Sequence, residues 1–176
     1  MTAPPLEGAG SRLVFRPARA DDARFLAELA GEAFGTYGDY EAVVAAWAAD
    51  RFVEATIAVH DAARAGAAFL VFLRPGEAPD TRVGDLLALA VAARFRGRGL
   101  GRALLAHVVE RARDVSRRHG IDALRLAVAE GNAVARRLFE SAGFSYYEAE
   151  GSYPNGQRAL HMRLSLPRGG RGGRLI

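Results

Sequence analysis

The chain has 176 residues, half of them hydrophobic, which suffices for one domain with a substantial core but not for two domains of ordinary size. The absence of cysteine excludes disulfides, thiolate catalysis and thiolate metal sites, and it is typical of a cytoplasmic protein. No run approaches the roughly 20 apolar residues that a membrane span requires. The net charge of +4 depends on arginine, because all 24 basic residues are arginines.

The first half of the chain predicts a meander of strands with two helices. Residues 1–11 lack the basic start and apolar core of a signal peptide, and we expect them to form a flexible tail. One helix is expected to start at Asp21 and another to cover 40–49. Turns or irregular segments are expected over 31–38, 61–66 and 76–80. Strands are predicted at 13–16, 56–60, 67–73 and 83–91.

The second half alternates helices with strands. The predicted elements are helix 99–118, strand 123–128, helix 132–142 and strands 144–150 and 158–166. A meander followed by such an alternation predicts the fold class α/β (α+β), with a mixed central sheet and helices on both faces. Residues 12–167 are therefore expected to form a single domain.

An arginine- and glycine-rich segment ends the chain at residues 168–176. Such segments can bind RNA, so an RNA-associated protein is one hypothesis. The preceding chain shows no alternation of aromatic and basic residues that would stack on bases, which favours a flexible tail. We therefore predict neither a nucleic-acid partner nor a membrane partner. The sequence is compatible with a monomer and with a homodimer.

The most informative segment runs from Ala88 to Leu105. An apolar strand ends at Val91, and a loop of alternating arginines and glycines follows. An amphipathic helix then begins near residue 99, with one apolar stripe that comprises Leu100, Leu104, Val108, Ala112 and Val115. The N–H groups of such a loop and the positive end of the helix dipole both favour an anion. Glycine accepts positive φ without a Cβ penalty, and arginine offers forked donors to phosphate oxygens. The segment therefore predicts a phosphate site.

The spacing of these residues narrows the kind of phosphate site. An ATP-type loop is excluded because the chain has no lysine. A dinucleotide fingerprint is weak, since its third glycine would be Arg102. An ordinary strand-to-helix turn is the plain alternative. The arrangement Arg96-x-x-Gly99-x-Gly101 resembles the coenzyme A pyrophosphate loop of the GNAT (Gcn5-related N-acetyltransferase) family.

A second segment, from Asn132 to Phe144, strengthens this resemblance. It reads Asn-x-x-Ala-x-x-Leu-Phe-Glu-x-x-Gly-Phe, with Asn132 as a helix cap and Gly143 where the helix ends. It is similar to the GNAT segment that flanks the pantetheine arm. The resemblance implies acetyl-CoA as cofactor and transfer of its acetyl group to a primary amine, by direct attack in a ternary complex.

The resemblance also implies which residues contact the cofactor. Arg96, Arg98, Arg102 and the amides of 97–102 would anchor the pyrophosphate. The strand at 89–91 would pair with pantetheine, and a backbone N–H near Ala90 or Val91 would stabilise the thioester oxygen. The predicted cofactor-binding residues are Leu89, Ala90, Val91, Arg96, Gly97, Arg98, Gly99, Leu100, Gly101, Arg102, Asn132, Ala135 and Phe139.

Proton transfer is less clear from the sequence. The attacking amine must be neutral, so we expect a base, with Asp85 as the first candidate and Glu130 as the second. Many family members carry a tyrosine that protonates the leaving thiolate, but that position is Phe139 here. Tyr146, Tyr147 or Tyr153 could substitute, or solvent could protonate the thiolate; Tyr147 and Tyr153 enter the predicted catalytic set.

For the acceptor, we predict walls formed by Phe34, Tyr37, Tyr40 and the turn at 153–156. This turn partly resembles protein N-terminal acetyltransferases, including those that act on ribosomal proteins, although their strand glutamate is Ala127 here. The acceptor could thus be a small-molecule amine or a protein N-terminus. A non-catalytic acyl-CoA-binding or regulatory module on the same fold is the alternative. The four histidines are too scattered in sequence to predict a metal site.

Overall fold

The computed structural model describes residues 12–72 and 82–167. The predicted tails at 1–11 and 168–176, the predicted loop at 76–80 and the end of the strand expected at 67–73 lie outside these residues. The elements are β1 Leu13–Pro17, α1 Ala23–Phe34, α2 Tyr40–Ala49, β2 Val53–His60, β3 Ala63–Val71, β4 Val83–Val91, α3 Leu100–His119, β5 Ala123–Ala129, α4 Ala133–Ser141, β6 Ser145–Tyr147 and β7 Ala159–Ser165.

A seven-stranded mixed sheet organises these elements in the order β1-β2-β3-β4-β5-β7-β6. Only β4 and β5 run parallel among its described strands, because α3 carries the chain back across the sheet between them. Side chains of α3 and α4 pack on one face. Those of α1 and α2 pack on the other face, over β2, β3 and β4. The predicted fold class, with helices on both faces, is confirmed.

The spacing of apolar residues along α3 explains how this helix packs on the sheet. Buried side chains recur along α3 at the helical period, as the sequence predicts, and its polar side faces solvent. The predicted stripe is fully buried and comprises Leu100, Leu104, Val108, Ala112 and Val115. This packing fixes the first turn of α3 beside the end of β4, where the candidate site lies.

Several predicted boundaries are wrong: the strand expected from 56 begins at Val53, the helix expected from Asp21 begins at Ala23, and three further differences concern turns and strand ends. The turn expected over 61–66 is only two residues long, because Asp61 and Ala62 take positive φ values of 47° and 67° and let β3 begin at Ala63. The segment predicted to be irregular from 31 is helical through Phe34. The strand expected over 144–150 is confined to Ser145–Tyr147.

A buried carboxylate holds the start of α1 against the sheet. Asp22 is 0% exposed, and both its oxygens accept from Arg16 at 2.7 and 2.8 Å. Arg64 on β3 and the backbone N–H of Arg19 also donate to it. The hydrogen bonds from Arg16 hold the pKa of this carboxyl well below its usual range, and those from Arg64 and Arg19 add to the effect against the opposing cost of burial. Asp22 thus joins β1, β3 and α1.

No helix in the two described ranges is long and apolar enough to cross a membrane.

Candidate active site

A split between the two parallel strands forms the candidate site. Residues 83–85 of β4 pair with 123–125 of β5, and beyond them β5 pairs only with β7. The strands therefore separate toward their carboxyl ends and leave a cleft of about 540 Å³ that is open to solvent. In open sheets with parallel strands, ligands bind at these ends.

A bulge in β4 sets the groups that face this cleft. Leu86 pairs with Leu70 and Ala88 with Phe69, so Leu87 is the extra residue. Beyond the bulge, the N–H of Ala92 donates to Ala65 on β3 at 2.9 Å. Because N–H groups alternate sides along a strand, those of Val91 and Leu89 point toward the cleft and that of Ala90 toward β3. Of the amides predicted to stabilise the thioester oxygen, Val91 has the suitable direction and Ala90 does not.

The loop after β4 has the backbone conformation that its glycines predict. Gly97 and Gly99 take positive φ values of 73° and 80°. A Cβ at either position would meet nothing within 4 Å, so it is the positive φ that calls for glycine at these two positions. Gly99 is the N-cap of α3 and provides no side-chain cap, which leaves the first N–H groups of the helix available to an anion.

Arg96, which the sequence predicts to anchor the pyrophosphate, makes two contacts within the protein. Its Nε donates to the carbonyl of Val91 at 2.8 Å, and its Nη2 pairs with Glu32 of α1, also at 2.8 Å. The same Glu32 oxygen accepts from the N–H of Ala93 at 2.6 Å. Arg96 therefore fastens the loop to β4 and α1, and two of its donors are occupied before any phosphate arrives. Arg98, which is exposed, remains directed to solvent.

Helix α4 supplies the second side of the cleft. Asn132 caps the helix by accepting from the N–H of Ala135 at 3.1 Å, as predicted, and both residues line the cleft. Phe139 also lines it, but its ring is 93% buried and packs edge-on against Phe144, with 5.9 Å between ring centroids. Gly143 ends the helix with φ 93°, as predicted. The pantetheine-flanking residues are thus brought together.

Aromatic side chains from distant parts of the chain close the other end of the cleft. Phe34, Tyr37 and Tyr40 line it from the α1–α2 region, and Tyr153 lines it from the loop between β6 and β7. The rings of Tyr37 and Tyr153 lie 5.0 Å apart. The Nδ2 of Asn155 donates to the backbone carbonyl of Thr36 at 2.7 Å and joins the two walls. The predicted acceptor residues therefore meet.

The predicted bases do not reach this cleft. Asp85 lies at the paired end of β4, where both its oxygens accept from Arg125 at 2.8 and 3.0 Å. This bidentate ion pair makes Asp85 a bridge between β4 and β5. Glu130 is exposed and lies 3.7 Å from Arg158. Among the described residues that line the cleft, none carries a charge.

Comparison with known proteins identifies the fold and the family. A profile of the acetyltransferase (GNAT) family matches residues 18–144, nearly three-quarters of the chain, including both motif segments. The chain belongs to this family. The resemblance inferred from the loop and from α4 is therefore confirmed. GNAT acetyltransferases use acetyl-CoA, the cofactor predicted from the sequence.

Three relatives illustrate the extent of the likeness. Mycothiol acetyltransferase from Beutenbergia cavernae is 41% identical over 75 residues, which are 43% of this chain and 24% of that protein. The match therefore spans about a quarter of the length of that relative. The ribosomal-protein-S18-alanine N-acetyltransferase of Escherichia coli superposes with a TM-score of 0.74, over 93% of this chain and 100% of that chain, at 20% identity. A Salmonella typhimurium protein solved with its cofactor acetyl-CoA superposes with a TM-score of 0.70, over 94% and 100%, at 20% identity.

Within this GNAT fold, Tyr153 lines the cleft together with Tyr37 and Tyr40. Burial raises the pKa of its phenol to about 12, and the neighbouring Tyr40 and Tyr37 add to the rise. A thiolate whose conjugate acid has a pKa of roughly 8.5 does not remove a proton from such a phenol. Tyr153 is therefore suited to donate a hydrogen bond rather than its proton. Tyr147 lies outside the cleft lining and packs on His161.

Two functional contacts could not be found in the sequence. Glu32 binds a loop about sixty residues away, and the Asn155 link spans 119 residues. Neither side chain belongs to a motif, and no local pattern marks a long-range hydrogen bond.

Proposed function

We propose that the protein transfers an acetyl group from acetyl-CoA to a primary amine. The observation that carries the proposal is the split between β4 and β5, which opens toward the end of β4 that the glycine loop follows and is lined by aromatic side chains. A cleft of this form brings a thioester and an amine together without another cofactor. The domain of residues 12–167 would act in the cytoplasm, as a monomer or a homodimer.

The diphosphate of acetyl-CoA would bind the amides of residues 97–102 and the first turn of α3. Positive φ at Gly97 and Gly99 and the free N-terminus of the helix support this assignment. Arg98 and Arg102 are exposed and would add charge, while Arg96 holds the loop. Pantetheine would lie along the unpaired edge of β4, opposite Asn132 and Ala135.

The chemistry follows from this placement. The neutral amine attacks the thioester carbon, a C–N bond forms, and negative charge develops on the carbonyl oxygen. The N–H of Val91 points into the cleft and would stabilise that oxygen. The nitrogen then loses one proton to solvent, the carbonyl re-forms as the C–S bond breaks, and the leaving thiolate takes a proton from solvent. Phe139 has no hydroxyl to donate, which supports the solvent route.

The acceptor would enter between the aromatic walls. Phe34, Tyr37, Tyr40 and Tyr153 give this end of the cleft an apolar surface with hydroxyl groups at its edge. A small-molecule amine and a protein N-terminus both have a compact primary amine that fits such an opening. The proposal therefore keeps both acceptor classes.

A thiol-release assay tests the proposal directly. Because the chain has no cysteine, a thiol reagent reports only free coenzyme A. We expect amine-dependent release of coenzyme A from acetyl-CoA with at least one member of a panel of arylalkylamines, diamines, amino acids and amino-terminal peptides. Acetylated product in the same reaction should appear in equal amount by mass spectrometry. Acetyl-CoA binding without turnover across the panel would contradict the proposal and favour the non-catalytic module.

A further inference from the structure

Four aromatic side chains line the acceptor end of the cleft. The ring centroids of Phe34 and Tyr40 lie 5.4 Å apart, and those of Tyr37 and Tyr153 lie 5.0 Å apart. Both pairs are tilted, by 43° and 39°, so the rings present faces and edges rather than one flat wall. Aromatic rings at such distances and angles attract one another beyond their apolar contact. The acceptor end therefore offers a surface suited to a further flat, apolar group.

Three phenol hydroxyl groups gather at this end. Among the described residues, none forms a hydrogen bond with the hydroxyl of Tyr37, Tyr40 or Tyr153. None of the three oxygens is buried, so solvent reaches each of them. Burial raises the pKa of Tyr153 most, and the nearby phenols of Tyr40 and Tyr37 raise it further, as expected for hydroxyl groups that lie close together. Uncharged hydroxyl groups are thus available to hydrogen-bond a ligand.

Ionised side chains around the cleft already have partners. Glu32 accepts from the N–H of Ala93 and from Arg96. Asp85 accepts from Arg125 at the paired end of β4. The described lining of the cleft itself is free of charged side chains. Because an ion that leaves water without a counter-charge loses its hydration uncompensated, this end disfavours a substrate that brings a carboxylate or a second ammonium group.

The two walls of the acceptor end touch where segment 36–38 meets segment 153–155. Asn155 donates to the backbone of the first segment at 2.7 Å. A Cβ at Gly38 would lie 3.0 Å from the Cγ of Pro154 and 3.3 Å from its Cβ, so the chain passes close to the proline ring. A peptide that left the cleft between the walls would have to separate these segments. A small molecule would not.

We propose that the acceptor is a small arylalkyl monoamine, whose ring packs among the four aromatic side chains and whose nitrogen hydrogen-bonds to their hydroxyl groups. The inference rests on the proposed acetyl transfer and selects one of its two acceptor classes. Apolar contact with the ring supplies binding energy, and a single amine brings no second charge into the cleft. A hydroxyl oxygen accepts an N–H of the neutral amine, which leaves the nitrogen lone pair available for attack.

Matched amines test the effect of charge at saturating acetyl-CoA. Phenethylamine and phenylalanine differ by one carboxylate, and hexylamine and hexamethylenediamine differ by one ammonium group. In each pair kcat/KM should be about 100-fold lower for the member with the added charge, because the cleft offers that charge no partner. Phenethylamine should also exceed hexylamine, because its ring packs on the aromatic side chains. An equal or higher value for the charged member of either pair would overturn the inference.

A peptide amide that begins with phenylalanine distinguishes the two acceptor classes. It carries the same ring and a primary amine on a peptide chain, and its kcat/KM should be about tenfold or more below that of phenethylamine. A higher value than that of phenethylamine would assign the site to protein N-termini and overturn the inference, while acetyl transfer would stand. Absence of turnover with every amine, in protein that binds acetyl-CoA, would instead contradict the proposed function and the inference together.

Tyr37→Glu and Tyr37→Gln form a matched pair that tests the selectivity from the side of the protein. Tyr37 is half-buried in the segment between α1 and α2. The glutamate would supply the counter-charge that the lining lacks, so the ratio of kcat/KM for hexamethylenediamine to that for hexylamine should rise about tenfold. The glutamine should leave this ratio within about threefold of the parent. An equal change in both variants, with melting temperatures that show both to be folded, would overturn the argument from charge. The amine series on the parent protein decides the inference without either variant.

Discussion

The two ends of the cleft differ in how far apart in the sequence their residues lie. The cofactor end is built from residues 88–139, where a strand, a glycine loop and two capped helices follow one another. The acceptor end is built from Tyr37 and Tyr153 and from a hydrogen bond between Thr36 and Asn155. Backbone requirements such as positive φ are local and leave a local pattern. Convergence of distant side chains leaves none, so the sequence predicts which residues form the acceptor walls but not the contacts that join them.

The largest change in ligand affinity should come from a substitution in the glycine loop at the cofactor end. Gly99→Asp places a carboxylate among the phosphates and forces a non-glycine residue to a φ of 80°. We expect the Kd for acetyl-CoA to rise at least 100-fold, or about 2.7 kcal/mol, by titration calorimetry.

Gly101→Ala is the matched control for this loop. Its new Cβ would lie 3.6 Å from Leu138 and 3.8 Å from Val91, which is ordinary contact. Its Kd should stay within threefold of the parent protein. An unchanged Kd in Gly99→Asp would contradict the assignment of the diphosphate to this loop.

The second effect concerns α1, which serves both ends through Glu32 and Phe34. Because the folded-state pKa of Asp22 lies below its unfolded value of about 3.8, its ionised form stabilises the fold at neutral pH. This stabilisation should be lost progressively as the pH falls from about 5 toward 2, by about 3 kcal/mol in the free energy of unfolding. Urea titrations at successive pH values measure it.

Asp22→Asn sharpens this prediction. The variant should be about 3 kcal/mol less stable at pH 7 and should show a flatter pH dependence below pH 5. Glu28→Gln, which removes an exposed ion pair with Arg24 on the same helix, should leave both quantities unchanged. Equal slopes in the parent and in Asp22→Asn would show that other carboxylates carry the acid sensitivity.

A smaller change, in KM for the amine, should come from removing the hydrogen bond that joins the two walls of the acceptor end. Asn155→Ala removes the hydrogen bond to Thr36, which contributes about 1 kcal/mol. We expect KM for the amine to rise about fivefold, while the Kd for acetyl-CoA stays constant. Ser152→Ala, in the same loop, is the control and should match the parent in steady-state kinetics. A parallel loss of acetyl-CoA affinity would mean that the two ends are not independent.

The smallest effect is expected at Tyr153. Its phenol, with a pKa of about 12, is too weak an acid to protonate the thiolate, so Tyr153→Phe should keep kcat within about threefold. KM for the amine should change more than kcat. A 100-fold fall in kcat, measured with the acetyl-CoA Kd unchanged, would restore Tyr153 as the general acid.

Particular residues explain how far sequence reasoning reached. The bounds of α2 and β4 were predicted to the residue, and the stripe on α3 was predicted in full, because periodicity and breakers determine them. The β2–β3 turn was missed because Ala62 adopts positive φ, which alanine rarely does. The general base and the general acid were the hardest residues to predict. No local pattern shows that Asp85 pairs with Arg125, which lies 40 residues away in the sequence.

Arg96 shows the same limit within the best-predicted motif. The sequence predicts that Arg96 binds phosphate, because it precedes the glycines of the loop. In the structure its guanidinium donates hydrogen bonds to the carbonyl of Val91 and to the carboxylate of Glu32. A motif specifies that a residue type is needed and not which of two anionic partners it meets. Even at the cofactor end, therefore, the sequence predicts the backbone conformation of the loop better than the partners of a single side chain.

The most direct measurement is a crystal structure of the protein with coenzyme A. The diphosphate oxygens should lie about 3 Å from the backbone nitrogens of residues 97–102, and the thiol should reach the split between β4 and β5 beside Val91. A diphosphate bound elsewhere, with these amides still facing solvent at full occupancy of the ligand, would contradict the assignment of the cofactor and of the reaction built on it.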